Sequence, residues 1–146
     1  MNDIEILRKL NGVYAPKRSE IISIRVFLGI MILCWVGLTF AYIMTGEMDL
    51  RGVMFLVAIG VPIFAFVYFM DDHWCASFSF DGSKVQRLKN NGKVKWEIDI
   101  DDIKTVKIDK RGQTFYWEMI TSDKKVYAVR QVPDLYKATE EIIKNT

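Results

Sequence analysis

Two long apolar runs, followed by a series of short alternating segments, divide the chain into two kinds of structure. Residues 26–44 pass without a charge for 19 positions, and residues 53–70 for another 18. Neither run has a polar stripe at a 3.6-residue period, as a helix packed on a soluble core would. At 1.5 Å per residue each run spans roughly 27 to 29 Å, about the thickness of a bilayer's hydrocarbon core. Two transmembrane helices are predicted, over 24–44 and 53–70 within a hairpin of residues 21–72. A cleaved signal peptide fits the first run poorly, since the run is longer than an h-region and no Ala-x-Ala site follows it.

Beyond the second run the period changes from helical to alternating. ASFSFD places Phe78 and Phe80 on one face, and Asp81-Gly82 then turns the chain. VQRLK and KVKWEIDI flank Asn90-Asn91-Gly92, a strong hairpin signal because Asn-Gly accepts positive φ angles. Val94, Trp96, Ile98 and Ile100 are predicted to face inward, with Ile103, Val106 and Ile108 continuing the pattern after a break. IKTVKID, TFYWEMI and KVYAVR read as three further strands. PDLYKATEEIIKN reads as an amphipathic helix with Leu135, Ala138, Ile142 and Ile143 on its apolar side. The expectation is therefore six antiparallel strands and a C-terminal helix in a domain of residues 73–146. A single helix can cover only one face or plug one opening, so the strands must curl into a partly open barrel or a bent sheet.

The N-terminal segment 1–20 carries Ile4, Leu7 and Leu10 at helical spacing and stops at Asn11-Gly12. Two readings stay open for it: a helix lying on the membrane surface, or one packed on the C-terminal domain. In the first span Gly29, Gly37 and Ala41 share one helix face and form a candidate packing seam, first for the neighbouring helix and next for a second copy. Homo-oligomerisation is left open. Pro62 removes one hydrogen bond and predicts a kink in the second span.

Charge orients the hairpin. Arg8, Lys9, Lys17, Arg18 and Arg25 precede the first span and Lys84, Arg87, Lys89, Lys93 and Lys95 follow the second, whereas the loop 45–52 holds Arg51 beside Glu47 and Asp49. Both ends are expected to be cytoplasmic. No acid or base falls inside either uncharged run, which disfavours a proton relay or ion pathway. From residue 71 onward 14 bases balance 13 acids, so nothing calls for nucleic acid. Cys34 and Cys75 lie too far apart in depth to pair and sit in no metal or redox motif, and both read as packing residues. Tyr68 and Trp74 are placed as anchors at the membrane interface.

Candidate chemistry is sparse. Four acids, Glu97, Asp99, Asp101 and Asp102, fall within six residues. Strand alternation puts Glu97 and Asp99 on an outer face near Lys89 or Lys104, and Asp101-Asp102 at a corner where their side chains would accept backbone N–H groups. His73 is the only histidine, and its neighbours Asp71, Asp72 and Trp74 point in different directions on a helix or a strand. No nucleophile elbow, phosphate-binding glycine loop or zinc spacing occurs. The chain is read as non-enzymatic, with no cofactor and no metal.

The stretches FSFDGSKV, WEIDIDDIKTV and TFYWEMITSDKKVYAV, with the helix after Pro133, resemble the small bacterial PH-like domains that follow two transmembrane helices in YcxB-like membrane proteins. The resemblance implies a PH-like fold in the bacterial inner membrane. It departs from the full fold in its count of six strands rather than seven. It does not carry over the basic headgroup signature, for which Lys84, Arg87, Lys89 and Lys93 form only a loose cluster of candidate headgroup or partner contacts. The expected role is a membrane-anchored interaction module binding a protein partner or lipid headgroups. An immunity protein against a bacterial competition toxin, and an enzyme using Glu97 to Asp102, are the alternatives.

Overall fold

The computed structural model describes residues 2–46, 48–112 and 114–146, with Lys110 described by its backbone alone. Glu47, counted above among the loop charges, lies outside the described residues. Two compact units result, residues 18–74 and the combination of 1–17 with 75–146.

The first unit is a helical hairpin, α2 (Arg18–Met44) and α3 (Leu50–Trp74). Both helices are long and apolar enough to cross a membrane. They run beyond the expected spans because the polar turns at their ends, with Arg18, Glu20 and Arg25 on one and Asp71, Asp72 and His73 on the other, are helical too. Arg25 Nε donates to Asp71 Oδ1 at 3.2 Å across that end. α3 continues through Pro62 as one helix.

The seam between the two helices differs from the expected one. A Cβ built on Gly29 or Gly37 meets nothing within 4 Å, and Ala41 is exposed. The close approach is made by glycines of α3 instead: Gly60 beneath Trp35, where a Cβ would fall 2.7 Å from the indole, and Gly52 against Tyr42. Trp35 also stacks edge-on to Phe64 at 5.4 Å and donates its Nε1–H to the Leu56 carbonyl at 3.3 Å. Large rings of α2 fill hollows left by small residues of α3, so the small residues of α2 are turned away.

Among the described residues the second unit holds seven strands, one more than expected. The missed strand is β1 (Asn11–Tyr14), which follows the short helix α1 (Asp3–Lys9) and precedes the hairpin. Gly12 and Asn11 looked like a stop signal, yet Gly12, at φ +128°, sits inside the strand opposite Phe80. β1 pairs antiparallel with β2 (Ser77–Asp81), Tyr14 opposite Phe78. β3 (Lys84–Leu88) and β4 (Val94–Asp99) complete a four-stranded sheet in the order β1-β2-β3-β4. A 3-10 turn, Ile100–Asp102, leads to a three-stranded sheet of β5 (Ile103–Arg111), β6 (Thr114–Thr121) and β7 (Val126–Arg130). The helix α4 (Pro133–Lys144) ends the chain, with Pro133 in its first turn.

Residues 1–17 are thus part of the β unit rather than a segment apart. Of the two readings kept for the N-terminal helix, the packed one holds: Ile6, Leu7 and Leu10 join Phe78, Phe80, Val85, Ile98, Trp117, Met119 and Leu135 in one core. Three residues expected to face inward do not. The β3–β4 ladder sets Arg87 opposite Trp96 but Leu88 opposite Val94, and this bulge leaves Val94 exposed. Ile108 lies opposite Trp117 on an outer strand with no further strand beside it. Ile143 is one position around the helix from Ile142 and is exposed. Cys75 is buried as expected, whereas Cys34 is exposed on α2.

Candidate functional site

The expected break at Asp101-Asp102 is the 3-10 turn, and it joins the two sheets. Its hydrogen bonding is not the expected one. Asp101 pairs through its side chain with Arg8 of α1. Asp102 contributes its backbone carbonyl, which accepts Ser122 N–H at 3.0 Å and the Ser122 hydroxyl at 3.3 Å. The corner is held by main chain, and its carboxylates are left at the surface. The Arg8–Asp101 pair is solvent-exposed on both sides. Asp101→Ala is therefore expected to cost about 0.2 to 1 kcal/mol in chemical denaturation.

The ladder also corrects the partner of the outer acids. Gln86 lies opposite Glu97 and Lys84 opposite Asp99, so Lys84, not Lys89 or Lys104, reaches them. Lys84 Nζ stands 2.8 Å from Glu97 Oε1 and 4.0 Å from Asp99 Oδ1, and the Gln86 amide donates to the other oxygen of Glu97. These contacts hold the Glu97 carboxyl below its ordinary value and raise the Lys84 ammonium.

Between β4 and β7 the two sheets meet through side chains, Trp96 and Tyr127 with centroids 5.1 Å apart, and among the described residues no strand pairing closes the gap. An open cleft of roughly 340 Å³ lies there, lined by Glu97 and Asp99 of β4, Asp102, Thr121 at the end of β6, and Ser122 and Asp123 of the β6–β7 turn. The alternation of β4 pointed to the first two. Ser122-Asp123 was legible as a turn, but nothing in its residues says that the second sheet brings it beside Asp102.

Asp123 accepts from the Thr121 hydroxyl and lies 3.0 Å from Lys125 Nζ. In that order these partners hold its carboxyl at about 2. A lowered carboxyl contributes stability above its unfolded value and loses it as pH falls through the folded one, here from 3.8 to about 2. The Asp123 carboxyl is expected to titrate by NMR at about 2, and Thr121→Val to return it toward 3.8. A midpoint near 3.8 in the unaltered protein would remove the hydroxyl from the account. Among the described residues no three His, Cys, Asp or Glu side chains are gathered as a metal site.

The four basic candidates do not converge. Lys84 begins β3 and is engaged by acids, whereas Lys89 and Lys93 flank the turn beyond the other end of the strand. Arg87 lies opposite both Phe78 and Trp96, in the row of Val85 rather than that of Lys84. Of the interface anchors, Tyr68 is exposed on α3, and Trp74 ends the helix with its indole N–H 3.0 Å from Met70 Sδ. Comparison with protein-family models, with curated proteins and with solved structures gives no match.

Proposed function

We propose that the chain is a non-enzymatic membrane-anchored interaction module, whose hairpin fixes a PH-like β unit on the cytoplasmic face of a bacterial inner membrane. One observation carries it: the apolar hairpin is inserted between two strands, β1 and β2, that hydrogen-bond to each other. Strands of one ladder lie on one side of a membrane, so both ends of the hairpin return to that side. The bases around the hairpin, against the single Arg51 in its loop, favour the cytoplasmic side. The PH-like reading is supported by the four- and three-stranded sheets followed by a helix, with β1 supplying the seventh strand. The bacterial setting rests on the resemblance to YcxB-like proteins.

A non-enzymatic role is supported by the state of the acids. Glu97 and Asp123 are occupied by Lys84, Gln86, Thr121 and Lys125, and occupied carboxylates are poor general bases. The cleft between β4 and β7 is the surface on which a partner protein would be recognised. Photo-crosslinking from position 122 of the full chain in native membranes is expected to give one discrete protein adduct, lost when Asp99 and Asp102 are changed to Lys. Absence of any protein adduct from 122, 99 and 127 would contradict the reading.

A further inference from the structure

The register of the four-stranded sheet sorts its charges by edge. Ser77, which opens β2, lies opposite Leu88, the last residue of β3, so the 89–93 turn closes the same edge at which β2 begins. Tyr14, the last residue of β1, lies opposite Phe78 and ends at that edge too. The chain leaves this edge for the hairpin through Lys17 and returns through Cys75 and Ala76. From Trp74 to Ser77 is three residue steps, at most about 11 Å of chain.

The turn at this edge is short and tightly built. Lys89 N–H donates to the Lys93 carbonyl at 2.8 Å, Gly92 N–H to the Lys89 carbonyl at 2.9 Å, and Gly92 takes φ +77°. Residues 87–95 hold Arg87, Lys89, Lys93 and Lys95 and no acid. The opposite edge of the sheet carries Asp81 at the end of β2 and Asp99 at the end of β4, with Asp101 and Asp102 just beyond. The edge at the turn is therefore basic without acids, whereas the other edge is mixed, its acids being paired with Lys84 at the start of β3 and with Arg8.

We infer that the Lys89–Lys93 turn rests on anionic lipid headgroups of the bilayer in which the hairpin sits, an inference that relies on the hairpin spanning that bilayer. Basic groups are attracted by the surface potential of an anionic membrane, which decays over about 8 Å at physiological salt.

The test uses the full chain in vesicles, with a benzophenone amino acid at Asn91 or, as the control, at Ser122. In vesicles containing phosphatidylglycerol, Asn91 is expected to give lipid adducts at least fivefold above Ser122. That excess should vanish in pure phosphatidylcholine, in 0.5 M NaCl, and in the Lys89→Glu/Lys93→Glu variant. Inorganic phosphate at constant ionic strength should leave it unchanged. Equal yields at the two positions, indifference to lipid charge, or displacement by phosphate would each overturn the inference. Flotation after an alkaline wash reads hairpin insertion separately, so loss of headgroup contact is distinguished from loss of the anchor.

Discussion

Replacing Leu7 by Ala is expected to destabilise the β unit by about 2 to 5 kcal/mol, the cost of a cavity where a fully buried leucine stood. Leu7 is 0% exposed, although it lies on a helix of only seven residues, and Leu10, which caps that helix, is 1% exposed. Such a helix cannot hold itself in water, and its stability comes from the core it enters. α1 packs against α4, β5 and the 3-10 turn, so the loss at Leu7 is felt by all three. Ile143→Ala, at an exposed position on α4, is the comparison and should stay within about 0.5 kcal/mol. Chemical denaturation in detergent, followed by the fluorescence of Trp96 and Trp117, measures both. Equal small effects at the two positions would place α1 outside the core.

Replacing Gly60 by Leu is expected to destabilise the hairpin by about 1 to 3 kcal/mol. Even a Cβ at Gly60 would lie 2.7 Å from the Trp35 ring, and that ring is held by the Leu56 carbonyl and by Phe64. Within a bilayer, lipid is as apolar as leucine, so the helices associate through close packing rather than by escape from water. A side chain that props them apart removes that packing directly. Leu at Gly29 or Gly37 meets open space and should leave the unfolding transition of the hairpin in micelles unchanged. Loss of stability at Gly29 or Gly37 comparable with that at Gly60 would restore the seam read from the sequence.

The contrast between these glycines shows what the residues alone could tell. The hairpin was legible because charge-free length is a property of the sequence, and both charge-free runs lie within the long apolar helices α2 and α3. Which face of each helix meets the other was not, because Gly29, Gly37 and Ala41 are small on the face away from α3. Strands β2 to β7 and α4 followed from alternation and turn residues such as Asn91-Gly92. β1 escaped because its four residues, Asn11-Gly12-Val13-Tyr14, contain a turn signature and too few positions to alternate. Its partner lies more than sixty residues away, beyond the hairpin. The cleft was half legible for a related reason: Glu97 and Asp99 are neighbours in sequence, whereas Asp102 and Asp123 are neighbours only once the two sheets meet.

One domain is assembled from the chain on both sides of the apolar hairpin. The most direct test of this assembly removes the hairpin, joining residue 17 to residue 75 through a short Gly-Ser linker, and compares the product with residues 75–146 alone by amide NMR and hydrogen exchange. The joined chain is expected to be folded and water-soluble, with protected amides in Val13 and Phe80, while 75–146 alone should lack a dispersed spectrum. A dispersed spectrum from 75–146 alone, unchanged when residues 1–17 are restored, would contradict the account.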